Sequence, residues 1–452
     1  MPVALTVGLG KFIAGLRYPD IPQDAIAFAR TGFADCVGVM IAGAVEPAPQ
    51  LVRAMLAPAG DEATLLFGAG RASAPEAAWI NGTAAHALDF DDVAQRGHPS
   101  AVLVPAILAE AEALGASGEA MLLAYAAGYE TWAELVRREP DAHHNKGWHP
   151  TGIFGAIGAA AACASLRRLD ATAAAHAIAL GASQSAGLMS NFGTMTKPFH
   201  AGRSAHAGVV AARLAQKGFT ASLDALEHPQ GFLAAVSPAG KVDRESALEA
   251  GRVWKLARDG VAVKKYPLCY CTHRALDGML DLLQAERVDA GKVRRVVVST
   301  SPRYATILRN HAPQTGLEAK FSMEFAMTSA LIAGRASPAE LTDAFVRRPE
   351  VQALMRRVEV KVDEREDPAA PGQAIYDEVT VETDGARLAR SIKVTKVRGG
   401  PDLPLAREEL WAKFEGCVQA GNAKLNARGL FDALMSLERL PQARNLPGLG
   451  TA

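Results

Sequence analysis

The sequence predicts a mainly α protein: a large all-helical domain formed by both chain ends, with a smaller α+β lid domain inserted between them. Three observations lead there. At 452 residues the chain is longer than one hydrophobic core usually serves. Apolar positions recur at helical spacing through the first 250 residues or so, and valine-rich alternating runs begin only after about residue 260. Helical patterning then returns behind a Pro/Gly-rich break, Gly399-Gly400-Pro401-Asp402-Leu403-Pro404. The expected boundaries are 1–260 for the first helical segment, 261–403 for the lid, and 404–452 for helices returning to the first domain.

In chain order, Ile26, Ala29, Phe33, Val37 and Met40 repeat at helical spacing behind Pro22, a residue suited to a first turn. Similar periodicity predicts helices at about 75–88, 101–114, 118–138, 152–168, 170–187 and 201–217, so the first 250 residues read as nearly all helix. Gly152, Gly155 and Gly158 recur every third residue beside Ala159–Ala162 and leave a smooth face that a neighbour can approach closely. Glycine inside a helix costs up to about 1 kcal/mol against alanine, so packing must need the space. Val293–Thr300, Val358–Val362, Glu378–Thr383 and Leu388–Val394 read as strands, with Asp384-Gly385 as a hairpin turn between the last two. Helices at about 273–285, 320–333 and 338–347 lie among them, and 405–437 reads as helix again.

Composition excludes several functions. Lys plus Arg and Asp plus Glu each total 48, so no overall charge favours nucleic acid or an anionic membrane. The five cysteines are odd in number and scattered, which points to a reducing compartment. The stretch from Met1 to Lys11 lacks a basic region ahead of its short apolar run, and the longest uncharged run, Thr151–Leu166, falls short of the roughly 18 strongly apolar residues of a membrane span. A cytoplasmic protein is expected, with neither a nucleic-acid nor a membrane partner.

The densest chemistry lies between Asn81 and Ser100, where Asp89, Asp91, Asp92, His86 and His98 are set between Ala-rich helical patterns. Charged groups beside apolar helices are costly to desolvate unless each finds a partner, so such a cluster is a candidate site. Taken alone, Asp91 and Asp92 read more naturally as polar loop or capping residues.

Four further segments gather polar groups. In His143-His144-Asn145-Lys146-Gly147-Trp148-His149-Pro150, the proline keeps His149 out of helical geometry and sets its imidazole at the mouth of the glycine-rich helix. In Gly193-Thr194-Met195-Thr196-Lys197-Pro198-Phe199-His200, a lysine beside free backbone N–H groups suits a carboxylate or phosphate, although the order of a Walker A loop is absent. In Lys264-Lys265-Tyr266-Pro267-Leu268-Cys269-Tyr270-Cys271-Thr272-His273, lysines could bind an anion, while Cys-x-Cys with one histidine lacks the second ligand pair of structural zinc. Lys320-Phe321-Ser322 opens a helical pattern in the lid, where a lysine can close over a ligand. There is no His-Glu-x-x-His, no Gly-x-Ser-x-Gly and no strand followed by Gly-x-Gly-x-x-Gly, which excludes the usual zinc-protease, hydrolase and dinucleotide chemistries.

Taken together, Asn81-Gly82-x-x-x-His86-x-x-Asp89-Phe90-Asp91-Asp92, His98-Pro99-Ser100, His149-Pro150, Gly193-x-x-x-Lys197-x-x-His200-x-Gly202, Gly208, Lys264-x-Tyr266-Pro267 and Lys320-Phe321-Ser322 resemble the 2-methylcitrate dehydratase (MmgE/PrpD) family. The resemblance implies a homodimer and cofactor-free lyase or isomerase chemistry on small di- or tricarboxylates, including dehydratases, cis-aconitate decarboxylases and an iminodisuccinate epimerase. Carried over residue by residue, it puts the catalytic site on Asp89, His98, His149, Lys197 and Lys264, with His86, His200, His273 and Lys320 as substrate-binding candidates and no metal ligand. Lysines suit the substrate's carboxylates, a histidine suits proton abstraction near neutral pH, and Asp89 would orient a histidine.

Two positions depart from the family pattern. Cys269 stands where relatives often carry a histidine, with His273 close by, and Phe325 stands where the lid often presents a tyrosine, which points away from decarboxylation. The leading reading is a cofactor-independent, dehydratase-like lyase that breaks a C–O or C–C bond in a small polycarboxylate after proton abstraction next to a carboxylate. Its alternatives are an epimerase of an iminodisuccinate-type dicarboxylate, a magnesium-dependent helical enzyme using Asp89, Asp91 and Asp92 on a diphosphate, and a catalytically lapsed paralogue that binds metabolites.

Overall fold

The computed structural model describes residues 4–285, 288–368, 370–384 and 390–449, and the protein is mainly α. The chain divides into two compact units. One comprises Met1–Asn191, Met195–Val263 and Ala406–Ala452, the other Phe192–Thr194 and Lys264–Leu405.

The first unit opens with α1 (Leu5–Gly15), α2 (Gln23–Gly43) and α3 (Pro47–Leu56), followed by a two-stranded hairpin of β1 (Ala63–Thr64) and β2 (Arg71–Ala72). Next come α4 (Ala74–Ala87), α5 (Pro99–Leu114), α6 (Gly118–Arg137), α7 (Pro150–Leu166), α8 (Ala171–Ser183), α9 (Thr196–Gln216), α10 (Phe232–Val236) and α11 (Lys255–Asp259). By length and composition α2 could cross a membrane, but 78% of its apolar window is buried inside the fold, as for a core helix.

The second unit contains α12 (His273–Ala285), β3 (Val293–Thr300), α13 (Pro302–Ile307), α14 (Gly316–Ala319), α15 (Met323–Ala333), α16 (Asp343–Val346), α17 (Pro349–Met355), β4 (Val358–Val362), β5 (Glu366–Asp367), β6 (Ala370–Ala374), β7 (Asp377–Thr383) and β8 (Arg390–Val394). Its main sheet runs β4-β3-β7-β8, with β3 parallel to β4 and antiparallel to β7. Val296, Val298, Val379 and Val381 face the core in alternation with more exposed residues, as the period-2 pattern requires. The expected turn at Asp384-Gly385 runs from Gly385 into residues outside the described ones, although β7 and β8 do pair antiparallel. The last helices, α18 (Arg407–Ala420) and α19 (Ala427–Leu434), belong to the first unit, and α18 packs on α2.

Several elements differ from those expected. Residues 217–254 hold only α10 among turns, because Gly218, Pro229, Gly231, Pro238, Gly240 and Gly251 interrupt their apolar positions. The stretch 405–437 is two helices, broken where Asn422 takes a left-handed φ of 50° after Gly421. Helix α9 starts five residues earlier than its apolar period suggested, with Pro198 tolerated in its first turn. Lys320 and Phe321 precede helix α15, because the Ser322 hydroxyl caps it by accepting from the Phe325 N–H at 3.1 Å.

Glycines set the distances between the helices that carry the polar residues. A Cβ on Gly82 would lie 2.8 Å from the Gly202 Cα, and one on Gly202 would collide with the Trp79 carbonyl and Thr83, so α4 and α9 cross backbone against backbone. Gly208 presses on Ala159 and Ala160 of α7 in the same way. The glycines of α7 do not serve a single neighbour, as a smooth face would suggest. Gly152 meets the Ala186 carbonyl, Gly155 meets Ser204 and Val102, and Gly158 meets Gly128 and Trp132. Gly202→Ala is therefore expected to destabilise the protein by about 1–3 kcal/mol or more through overpacking. Gly416→Ala, on α18 with open space around it, should be neutral or stabilising. Urea unfolding of the two variants checks both, and equal stability would refute the crossing as described.

Candidate active site

Four helix ends of the first unit bring the expected residues together. His86 lies in the last turn of α4. His98 and His149 are the N-terminal flanking residues of α5 and α7, each held there by the proline that follows. Lys197 and His200 lie in the first turn and a half of α9. The crossings at Gly82–Gly202 and Gly208 place these ends side by side: the His86 ring centroid is 4.5 Å from that of His98 and 5.9 Å from that of His149.

The loop after α4 supplies the carboxylates. Asp89 adopts a left-handed φ of 51°, which turns the chain sharply after the helix. Its Oδ1 accepts from the Lys197 ammonium at 2.6 Å, and the same ammonium lies 3.0 Å from His86 Nε2. A lysine ammonium has only hydrogens to offer, so His86 Nε2 accepts and Nδ1 carries the ring proton. That proton faces Asp91, whose carboxylate oxygens lie 2.9 and 3.0 Å from Nδ1. His98 Nδ1 stands 3.0 Å from the same carboxylate and 2.9 Å from the Asp92 carbonyl oxygen, and its Nε2 lies 3.9 Å from Asp89. The His98 backbone N–H donates to Thr151 Oγ1 at 3.2 Å, which ties α5 to the start of α7. His149 and His200 face each other with their Nδ1 atoms 3.1 Å apart.

Asp91 is thus the hub between two imidazoles, and its reading as a plain loop residue is corrected. The signal was present but unreadable: Asp89 and Asp91 are both acids two residues apart, and only the left-handed turn at Asp89 decides which way each side chain points. Asp92 does turn away, accepting from Ser100 Oγ at 2.5 Å, with Tyr125 2.7 Å from that hydroxyl.

Burial dominates the proton affinities. It pushes His86 down to about 3, with Asp91 opposing and Lys197 reinforcing, and His200 down to about 4, with Lys197 adding to the effect. His149 lies well below the ordinary value, first through burial and then through Lys197. Burial would raise Asp91, but its contacts with His86 and His98 outweigh it and hold the carboxyl well below its usual range. Asp92 is raised well above that range by burial and by the charge of Asp35. The site therefore sets neutral imidazoles, the ionised Asp91 and the Lys197–Asp89 ion pair among the positive ends of three helices, α5, α7 and α9.

His86, Asp89, Asp91 and His98 offer ligand atoms within 4.8 Å of one another, a set able to hold a metal ion. The Lys197 ammonium stands among them, however, bonded to two of the four, and a divalent ion there would face that charge at close range. The diphosphate reading built on Asp89, Asp91 and Asp92 fares worse, since Asp92 points to Ser100 and Tyr125 instead.

The remaining candidates lie in the second unit. Lys264 and Lys320 are buried there, and the Lys320 carbonyl accepts from the Cys269 N–H at 2.9 Å. His273, also buried, opens α12 with Nε2 3.2 Å from the Leu268 carbonyl and its ring between Tyr266 and Tyr270. Phe325 is fully buried too, edge-on to Phe345.

Residues 7–245 match the MmgE/PrpD N-terminal domain and residues 266–429 the MmgE/PrpD C-terminal domain. The chain is 30% identical to the cis-aconitate decarboxylase of Homo sapiens over 75% of its own length and 71% of the relative's. It is 28% identical to the mouse protein of that name, over 80% and 74% of the two chains. To the cis-aconitate decarboxylase of Aspergillus terreus it is 23% identical, over 96% and 94%. With both domains matched in order and the helix-end cluster carried by the first of them, the chain belongs to the MmgE/PrpD family.

Proposed function

We propose that this protein is a cofactor-independent lyase that removes carbon dioxide from a small unsaturated tricarboxylate of the cis-aconitate class. The observation that carries the reading is the Lys197 ammonium, held between Asp89 and His86 beside neutral, buried imidazoles. Lys197 and the helix N-termini fix the substrate's carboxylates by charge. Those carboxylates bring in negative charge, which raises the proton affinity of His149 and His200 and readies an imidazolium to act as an acid. When the C–C bond to the departing carboxylate breaks, its electron pair forms a new double bond. The pair of the old double bond moves to the carbon beside a remaining carboxylate, and the proton is delivered there. The same imidazoles, working in the other direction, would abstract such a proton in a dehydration.

Decarboxylation is preferred to dehydration because the relatives are cis-aconitate decarboxylases. The lack of a hydroxyl at Phe325 carries little weight against it, since that side chain belongs to the core of the second unit. A lid role for residues 261–403, with Lys264 as a further clamp, a homodimeric state and a cytoplasmic location complete the proposal.

A panel of hydroxy-, imino- and unsaturated di- and tricarboxylates in deuterated water tests it. Consumption of cis-aconitate with carbon dioxide release and one deuterium in the product is expected, unchanged by a chelator. Water loss from a hydroxytricarboxylate would replace decarboxylation by dehydration, exchange without elimination would replace it by epimerisation, and no reaction with any compound would refute the enzyme.

A further inference from the structure

We propose that Lys413, on α18 and 323 residues along the chain from the loop it touches, is a positioning residue for the segment Asp89–Asp92. The inference rests on the lyase reading above and adds to it a residue that meets neither substrate nor imidazole. The Lys413 ammonium donates to the Phe90 carbonyl at 2.8 Å, lies 2.5 Å from Asp35 Oδ1 on α2, and sits 3.9 Å from the centre of the Phe90 ring. Phe90 separates Asp89, which holds Lys197, from Asp91, which holds His86 and His98. Fixing the carbonyl between these two residues fixes the directions in which both carboxylates leave the backbone. The left-handed conformation of Asp89 is of the kind that persists only when its surroundings impose it.

The anchor is rigid on both sides. On α18, Phe414 packs against Gly38 of α2, and Cys417 shares one apolar cluster with Val39, Ala42 and the Phe90 ring itself. Packing alone does not require a cation there. A buried ion pair is seldom more stable than apolar residues of the same volume, whereas a cation aimed at one carbonyl defines an orientation. The C-terminal segment thus sets the geometry of a loop near residue 90 without adding a group to the chemistry.

The test uses the full-length protein with cis-aconitate as the probe. Lys413→Met alone leaves the Asp35 charge buried without this cation and is expected to melt earlier. Asp35→Asn with Lys413→Met removes both charges, so it should fold with a melting temperature close to wild type yet lose kcat by about 10²-fold through misplacement of the loop. KM should stay within about threefold, and the pH profile of kcat should shift as Asp91 loosens from His98. Lys413→Arg, able to reach both Asp35 and the carbonyl, should recover most of the loss. A folded double variant with wild-type kcat and pH profile would overturn the proposal. A second readout needs no substrate: the downfield proton resonance of His86 Nδ1, hydrogen-bonded to Asp91, should move in the double variant. If it moves while the wild type turns over no carboxylate at all, the lyase reading fails and the positioning stands. If it stays in place, the positioning itself fails.

Discussion

Lys197→Met is expected to lower kcat by about 10³-fold or more, corresponding to roughly 4 kcal/mol of lost transition-state stabilisation. The side chain is nearly isosteric, so the change removes charge more than volume. Three effects then act together. Asp89 loses the ammonium 2.6 Å away, His86 Nε2 loses its donor at 3.0 Å, and the substrate's carboxylates lose their nearest cation. Stripping one member from a buried ion pair costs about 3–5 kcal/mol by itself, so circular dichroism must accompany the kinetics to show that the variant is folded. Lys197→Arg should not rescue it, because a planar guanidinium is a poor replacement for a point charge shared between Oδ1 and an imidazole nitrogen. A folded Lys197→Met variant within tenfold of wild type would remove Lys197 from the reaction.

The second large effect is acid lability. Burial holds His86 at about 3 and His143, His200 and His206 at about 4, against an ordinary value of 6.5. In the unfolded chain these groups take up protons as pH falls below 6.5, while in the folded chain they stay neutral down to their lowered values. The unfolded state therefore binds more protons throughout this window, and stability, fully present above about 6.5, declines as pH falls through it. Each such group pulls stability down as pH falls, and the raised carboxyls of Asp92, Glu130 and Asp377, which take up protons in the folded chain, offset part of the loss. Stability should thus decline as pH falls below about 6.5, and urea unfolding followed by far-UV circular dichroism from pH 8 to pH 5 checks it. A stability that does not decline between pH 6.5 and pH 5 would show that these imidazoles are not held neutral by burial.

The mainly helical class was legible because the apolar period of 3.6 runs through long segments, and the four strands of the main sheet because valine alternates there. His149 could be placed at a helix mouth from Pro150 alone, since proline acts locally. Asp91 could not be told from Asp89, nor Lys413 picked out at all: their importance comes from a single backbone turn and from contacts with residues far away in sequence. The region 217–254 was counted within a stretch read as nearly all helix, whereas its glycines and prolines leave room only for the short α10.

The backbone crossings at Gly82, Gly202 and Gly208 have one more effect. Helices that meet through side chains can slip by exchanging rotamers, whereas helices that meet atom against atom have no compliant layer between them. The distances among His86, His149 and Lys197 are accordingly set by hard contact, like parts machined to a common datum. Amide hydrogens near these crossings should therefore be among the slowest to exchange in the protein.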